Sequence, residues 1–230
     1  MNLMVSPKRS TRAAFNFANA LRWPPMIPAS EALGRLREGN RRFVSERSNN
    51  DHASGGARRR EIADNQTPFA IVLGCSDSRV PAEIVFDQGL GDLFVIRVAG
   101  NIVAPSQVGS VEFAADRYGV RLVVVLGHSN CGAILATLEE LGRPSQDQSK
   151  NLRSIVERIQ PSIAPLYSAR HGQSDEWLVR ESGRANIRAS VNHLRHGSDV
   201  LEQLIQTTGL MVVGAEYSLE TGVVDFFDGI

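Results

Sequence analysis

Two short clusters of polar residues contain side chains that could bind a metal ion. Cys75 stands in the sequence GCSDSRVP, and His128 and Cys131 stand in GHSNCGA. Thiolate sulfur and imidazole nitrogen are a favourable ligand set for Zn²⁺. His128 and Cys131 are three residues apart, so both could face one point from a turn or from the first turn of a helix. The residue types therefore indicate a candidate zinc site with two sulfur ligands and one nitrogen ligand.

The number of available ligands indicates which kind of zinc site this would be. A structural zinc site normally has four protein ligands, whereas a catalytic site has three and leaves one position open. The chain has only two cysteines, so Cys75, His128 and Cys131 would form the open, catalytic type. The cysteine count alone also allows one disulfide or two inert buried thiols, although it excludes a disulfide-rich secreted fold.

Asp77 and Arg79 follow Cys75 by two and four residues. A carboxylate beside zinc could be a fourth ligand, or it could accept a proton from water on the metal. Arg79 would lower the pKa of Asp77 and hold its carboxylate through charge-assisted hydrogen bonds. An ordinary surface ion pair, which contributes little to stability, is the alternative. Their position in the loop that carries Cys75 favours a functional role.

Apolar runs that alternate with helical patterns must position these side chains. We predict strands at 69–73, 93–98, 122–126, 210–213 and 223–227. We predict helices at 31–46 with Ser30 as N-cap, 107–118, 131–141, 151–160, and 185–207 with a break near Gly197. This alternation predicts an α/β fold with a mostly parallel central sheet flanked by helices. Cys75 and His128 each follow a predicted strand by two residues, at the sheet edge where α/β proteins place their sites.

Composition and charge argue against some functional classes and divide the chain into two unlike parts. The 230 residues include 25 basic and 25 acidic side chains, and a zero net charge argues against a dedicated nucleic-acid binder. No run of 18 apolar residues and no signal peptide is recognisable, so we expect no membrane span and a cytoplasmic protein. Residues 1–60 carry 12 basic and 4 acidic side chains, whereas the remainder carries 13 and 21. This basic segment would be a solvated arm, or an arm that docks on the acidic remainder of its own chain or of a partner.

Several motifs at linked spacing resemble the β-class carbonic anhydrases. They are CSDSRVPAE at 75–83, GDLFVIR at 91–97, AGN at 99–101 and GHSNCGA at 127–133, with a looser similarity through HGSDVL and VGAEYSLETGVVDFF. The resemblance implies one Zn²⁺ per subunit, held by Cys75, His128 and Cys131. It implies that Asp77 and Arg79 form a catalytic dyad. Asp77 would bind zinc in a closed, inactive state, and pairing with Arg79 would release it.

The same resemblance implies a pocket and an assembly. Gln66 matches a glutamine that orients substrate, and Phe94, Ala99 and Phe113 would line a small apolar pocket, although either phenylalanine could instead be core packing. The family implies four parallel strands with a fifth added. It implies a single domain over 1–230, with an N-terminal helical arm at 1–60 and a catalytic α/β core at 61–230. It also implies a homodimer, or a dimer of dimers (a homotetramer), in which the arm crosses to the partner and the active sites lie at the interface.

The expected activity follows from this resemblance. It is the zinc-dependent reversible hydration of CO₂ to bicarbonate and a proton, by attack of zinc-bound hydroxide on carbon. Hydrolysis of carbonyl sulfide or carbon disulfide on the same zinc scaffold is the alternative enzyme, and a catalytically silent zinc-binding homologue is the alternative class. Two thiolates neutralise the charge of Zn²⁺ and make its water a weaker acid, so activity should rise with pH. His52, His171, His193 and His196 are candidates for a proton shuttle by residue type alone.

One position departs from the family pattern. Some bacterial members carry a tryptophan three residues before the first cysteine, in a non-catalytic bicarbonate pocket linked to pH switching. Val72 stands at that position here. We therefore predict that this inhibitory bicarbonate site is absent and that the open form of the zinc site is favoured.

Overall fold

A computed structural model describes residues 27–48, 55–143 and 149–230. Five strands in these ranges form one sheet: β1 Ala70–Gly74, β2 Leu93–Arg97, β3 Leu122–His128, β4 Met211–Tyr217 and β5 Val224–Asp228. They lie in the order β2-β1-β3-β4-β5; the first four are parallel, and β5 is antiparallel to β4. The predicted α/β fold, with four parallel strands and an added fifth, is confirmed. Every residue of β1 and β3 is buried, because parallel sheets are covered by helices on both faces.

Helices precede, connect and follow these strands. In the described ranges they are α1 Ala29–Val44, α2 Gly56–Glu61, α3 Ala82–Val85, α4 Pro105–Arg117, α5 Gly132–Gly142, α6 Lys150–Ser168, α7 Asp175–His196 and α8 Asp199–Thr208, with a 3₁₀ turn at Ala99–Asn101. No helix among the described residues is both long enough and apolar enough to cross a lipid bilayer.

Side chains alternate along the strands between two apolar layers. Val72 of β1 and Val124 of β3 pack in a layer with α1 and α3. Leu73 and Val125, one residue further along each strand, pack in the opposite layer with α4, α7 and α8. This alternation follows because successive side chains of a strand point to opposite faces of the sheet. The two layers hold the strand ends, and hence the residues that follow them, in fixed positions.

The described part of the basic segment packs on its own chain. Leu36 of α1 is fully buried in the layer beside β1 and β3. Asn40 Nδ2 donates to the carbonyls of Val85 and Gly222, at 3.1 and 2.8 Å, and Arg42 Nε lies 2.5 Å from Asp87 Oδ2. Residues 1–26 of the predicted arm lie outside the described residues, as do His52 and residues 144–148. The crossing of the arm at 1–60 to a partner stays a prediction.

Two helices differ from the predictions at their ends. α1 begins at Ala29 with Pro28 as N-cap and no capping side chain, so the prediction of Ser30 as N-cap is wrong. Pro28 presets a φ of −58° before the helix, and Ser30 therefore lies inside the first turn. α6 continues to Ser168 rather than ending at residue 160, and it passes through Pro161 and Pro165. Both prolines are exposed, whereas the opposite side of the helix is buried and holds it in place.

The region 175–208 contains two helices rather than one interrupted helix that starts at residue 185. α7 begins at Asp175, where Ser174 Oγ accepts the N–H of Trp177 at 3.2 Å. A capping serine followed by two acidic residues is a sequence signal for such a start. The predicted break near Gly197 is confirmed, because α7 ends at His196 and α8 begins two residues after Gly197, capped by Ser198.

Candidate metal centre

Cys75, His128 and Cys131 converge at the carboxyl end of the sheet. Their two sulfurs and one ring nitrogen all lie within 4.8 Å of one another, and the two Sγ atoms are 3.9 Å apart. Each residue is at most 5% exposed. The structure therefore brings together the three ligands that the sequence predicts.

The sheet explains this convergence. β1 and β3 are parallel neighbours, and Gly74 pairs with Leu126. Cys75 directly follows β1 and His128 is the last residue of β3, so both strands deliver a ligand to the same edge. A turn then brings in Cys131, which precedes α5 as its N-cap residue. In that turn Asn130 has a φ of 52°, a left-handed conformation that asparagine tolerates better than most residues.

The ring of His128 is oriented as a metal ligand would be. Its Nδ1 lies 2.9 Å from the Ser129 carbonyl, and donation to that carbonyl fixes the proton on Nδ1. Nε2 is then an unprotonated acceptor, buried and without a hydrogen-bond partner. A buried polar atom without a partner is costly. One nitrogen lone pair facing two cysteine sulfurs is a donor set that fits Zn²⁺.

The two thiols differ in how easily they ionise. Hydrogen bonding from Cys131 and from the Gly100 N–H, the latter at 3.3 Å from Sγ, lowers the pKa of Cys75. The hydrogen bond to Cys75 and burial raise the pKa of Cys131. One thiolate is therefore favoured before a metal binds, and the second proton is displaced on binding.

Asp77 lies beside the ligand cluster and is held by Arg79. Arg79 donates from Nε to Oδ1 at 2.9 Å, from Nη2 to Oδ2 at 2.7 Å, and from its backbone N–H to Oδ1 at 3.0 Å. These bonds hold the pKa of Asp77 well below its usual range. Asp77 Oδ2 is 3.8 Å from His128 Nε2. The carboxylate is therefore ionised, turned towards Arg79, and adjacent to the metal ligands.

Arg97 also holds the ligand loop, although it is not among the predicted site residues. It is the last residue of β2, and its guanidinium donates to the carbonyl of Cys75 at 3.0 Å and to that of Asp77 at 2.6 Å. The sequence places it at a strand end, but only the pairing of β2 with β1 shows which loop it contacts.

An apolar cluster packs around the two cysteines. Ile102, Ile134 of α5, and Ile159 and Ile163 of α6 pack with Cys75 and Cys131. Ala99 lies in the 3₁₀ turn next to Gly100, whose N–H contacts the Cys75 sulfur. These contacts place Ala99 close to the predicted metal ligands.

The other predicted pocket residues gather elsewhere in the chain. Gln66 Nε2 donates to Tyr118 Oη at 2.9 Å. The rings of Phe94 and Phe113 lie 6.0 and 5.4 Å from that of Tyr118, and 6.3 Å from each other. Tyr118 was not among the predicted site residues. We call Gln66, Phe94, Phe113 and Tyr118 the aromatic cluster.

The strand register separates the aromatic cluster from the metal ligands of the same chain. Phe94 pairs with Ile71, four residues before Cys75, which corresponds to about 13 Å along a strand. Gln66 precedes β1 altogether, whereas Cys75 follows it. Phe113 is 50% exposed, so the cluster faces outwards. The structure does not bring these side chains to the ligands within one chain.

The candidate histidines and Val72 are placed as follows. His193 and His196 each line a cavity that neither Cys75 nor His128 borders. The cavity beside the metal ligands is a different one, of about 750 Å³, and it is lined by His128, Cys131 and residues of α7. Val72 is fully buried in the layer beside α1 and α3. A shuttle role for a histidine and the absence of the bicarbonate pocket stay predictions.

Comparison with known proteins places the chain in a family. A family model described as "Carbonic anhydrase" matches residues 70–224. The carbonic anhydrase of Mycolicibacterium smegmatis is 40% identical over 191 residues, covering 83% of this chain and 89% of that protein. The fold resembles the β-carbonic anhydrase CafA of Aspergillus fumigatus (24% identity, TM-score 0.68, 87% and 91% of the two chains). It also resembles a β-carbonic anhydrase of Sordaria macrospora described as tetrameric (24% identity, TM-score 0.64, 73% and 84%). The chain therefore belongs to the β-carbonic anhydrase family, which consists of carbonate dehydratases.

Proposed function

We propose that this chain catalyses the reversible hydration of CO₂ to bicarbonate and a proton, with one Zn²⁺ per subunit held by Cys75, His128 and Cys131. The observation that carries the proposal is the buried, unpartnered Nε2 of His128, which faces two cysteine sulfurs. When bound, Zn²⁺ supplies a Lewis acid that makes water nucleophilic near neutral pH.

Asp77 orients the attacking water in this proposal. Arg79 keeps its carboxylate ionised, and Oδ2 offers an acceptor 3.8 Å from His128 Nε2. A water that donates one hydrogen to this oxygen has its position and lone-pair direction fixed, which lowers the entropy lost on reaching the transition state. Arg79 pairs with the carboxylate and holds it in place, so that the carboxylate can accept a hydrogen bond from the water.

A second copy of the chain completes the apolar pocket. The aromatic cluster is remote from the ligands of its own chain, and Phe113 within it is half exposed. We propose a homodimer, or a dimer of dimers, in which Gln66 of the partner subunit donates to the charge that develops on a CO₂ oxygen. Phe94 and Phe113 of the partner subunit exclude water from the site, and Ala99 bounds it from the same chain.

The proposal includes a reducing compartment, the cytoplasm. Cys75 and Cys131 are free thiols in the structure, and only reduced cysteines can bind zinc as thiolates. It includes no nucleic-acid or membrane partner.

Stopped-flow measurement of CO₂ hydration on protein of known zinc content tests this function. We expect Asp77→Asn to lower kcat/KM by about 100-fold, the scale of the loss when a reacting group is misplaced, and Cys75→Ser to lower both zinc content and activity. Asp199→Asn removes an exposed carboxylate at the start of α8 and should retain wild-type activity. Unchanged CO₂ hydration in Asp77→Asn or Cys75→Ser would refute the proposal. A kcat/KM for carbonyl sulfide or carbon disulfide above that for CO₂ would replace it with the alternative hydrolase.

A further inference from the structure

The 3₁₀ turn Ala99–Asn101 contacts the metal centre through one backbone N–H. Gly100 N donates to Cys75 Sγ at 3.3 Å, and both atoms are buried. A hydrogen bond of this kind fixes the position of a sulfur and reduces the electron density that it can donate to a metal. The conformation of Gly100 therefore decides how Cys75 is presented to the ion.

Gly100 has unusual conformational freedom and no room for a side chain that could restrict it. Its φ is 69°, in the left-handed region that glycine enters readily. A Cβ on this residue would lie 2.8 Å from Ile159 Cδ1 and 2.9 Å from the Ala133 Cβ. The residue must therefore be glycine, and only hydrogen bonds to the neighbouring peptide groups can fix its dihedral angles.

Two hydrogen bonds hold the peptide group between Gly100 and Asn101. The Asn101 N–H donates to the Val98 carbonyl at 3.0 Å, within the turn itself. On the other side, Asn186 Nδ2 of α7 donates to the Gly100 carbonyl at 2.8 Å, across 86 residues of sequence. Asn186 thus anchors the carbonyl of this glycine to a long helix.

The surroundings of Asn186 make this contact notable. The residue is 2% exposed and is followed by Ile187, which is packed in the apolar layer against the sheet. A buried amide costs free energy unless it is hydrogen-bonded, and an apolar side chain of similar shape would fill the position without that cost. The hydrogen bond to the Gly100 carbonyl gives the amide a role that an apolar residue could not perform.

We propose that Asn186 is a positioning residue of the metal centre: by holding the Gly100 carbonyl, it aims the Gly100 N–H at Cys75 Sγ and slows the release of zinc. This inference rests on the zinc site of the proposed function. Asn186 does not contact substrate or metal, and it acts through the turn.

The experiment compares zinc-loaded full-length wild type with Asn186→Leu and with a matched control, Ser190→Ala. Ser190 lies one helical turn further along α7, is 5% exposed, and donates to the Asn101 carbonyl at 3.0 Å. Each variant loses one buried hydrogen bond from α7 to the turn, but only Asn186 holds the Gly100 carbonyl. Zinc release is followed by transfer to a chromophoric chelator. The Co²⁺-substituted proteins give the energy of the thiolate-to-metal charge-transfer band.

We expect Asn186→Leu to release zinc at least about 10-fold faster, the usual scale for a lost partner of a metal ligand. Its charge-transfer band should move to lower energy, because an unbonded sulfur is the stronger donor. Ser190→Ala should release zinc within about twofold of wild type with an unmoved band, because Ser190 does not hold the Gly100 carbonyl. A merely structural role for Asn186 would lower the thermal midpoint without moving the band.

Asn186→Ser, a smaller change that leaves room for a water, keeps the test available if the leucine variant does not fold. Folded Asn186 variants with wild-type zinc release and an unmoved band would overturn the inference, and so would equal effects in Ser190→Ala. A wild-type protein that binds zinc but does not hydrate CO₂ would refute the proposed function and leave this comparison intact.

Discussion

The charge state of Asp77 depends on Arg79, and this dependence makes a testable contribution to stability. Arg79 holds the pKa of Asp77 below its usual range through its hydrogen bonds. A carboxyl group whose pKa is lowered on folding adds stability above its unfolded pKa, near 3.9, and this stability is lost as pH falls through the lower folded value. We expect Arg79→Met to reduce the free energy of unfolding at pH 7, and the difference from wild type to vanish under strongly acidic conditions. Urea denaturation across the pH range measures it.

The matched control for this prediction is Arg180→Met. Arg180 also pairs with an acidic neighbour, Glu181, at 3.1 Å on the surface, and neither group is bonded to Asp77. Its effect on stability should be small and should not follow the titration of Asp77. A difference between wild type and Arg79→Met that stays constant with pH would contradict the prediction.

The ligand set leads to a second prediction, about the pH dependence of activity. Two thiolates would neutralise the formal charge of a bound Zn²⁺, so water activated there would be a weaker acid than on a site with neutral ligands. We expect kcat/KM for CO₂ hydration to rise from pH 6 to pH 9. A stopped-flow profile in buffers of matched ionic strength measures this. A flat profile over that range would show that the thiolates do not set the acidity.

Single residues differ in how far the sequence reveals them. Cys75, His128 and Cys131 could be predicted because residue type, spacing and position after apolar strands all indicated one site. Arg97 could not, because its contacts with the carbonyls of Cys75 and Asp77 depend on the register that places it beside Gly74. The sequence does not show which backbone carbonyls a side chain will contact.

Among the elements, the strands were predicted more accurately than the helices. Each buried strand is a continuous apolar run, whereas α6 contains Pro161 and Pro165, residues that normally end a helix. Tertiary packing overrides this local signal, because Ile159 and Ile163 are fully buried against the cysteines. The length of α6, the helix that packs over the cysteines, therefore could not be predicted from its local sequence pattern.

If α6 is held by packing over the cysteines, its buried middle should contribute far more stability than its exposed first turn. Ile163→Ala should lower the free energy of unfolding by about 3 kcal/mol, the usual scale for truncating a fully buried isoleucine. Leu152→Ala, on the same helix but 45% exposed, should lower it by less than about 1 kcal/mol. Chemical denaturation of both variants measures the difference. Equal losses would show that α6 is held by its own propensity rather than by packing over the cysteines.

At the scale of the whole molecule, the polarity of the sheet separates two groups of predicted site residues. Ligands at the carboxyl end and an outward-facing aromatic cluster near the amino end of β1 cannot meet within one chain. The sequence motifs identified both groups but could not show this separation, since it depends on strand direction and register. If both groups serve one reaction, each active site must combine residues of two subunits.

Mixing two defective variants tests this arrangement. Asp77→Asn damages the ligand side of a site, and Gln66→Ala damages the side that we assign to the partner. In a heterodimer of the two, one site carries both lesions and the other carries neither. Random assortment of a symmetric dimer should therefore restore about a quarter of wild-type activity per subunit. Stopped-flow CO₂ hydration of the co-expressed mixture, compared with each homodimer, measures the gain.

The control mixture combines Asp77→Asn with Cys75→Ser. Both changes lie on the ligand side, so every site of their heterodimer keeps one lesion and no activity should return. If Gln66 instead acted within its own chain, the first mixture would also stay inactive, because each subunit would retain its own defect. Recovery in the first mixture without recovery in the second can arise only when the aromatic cluster of one subunit completes the metal centre of the other.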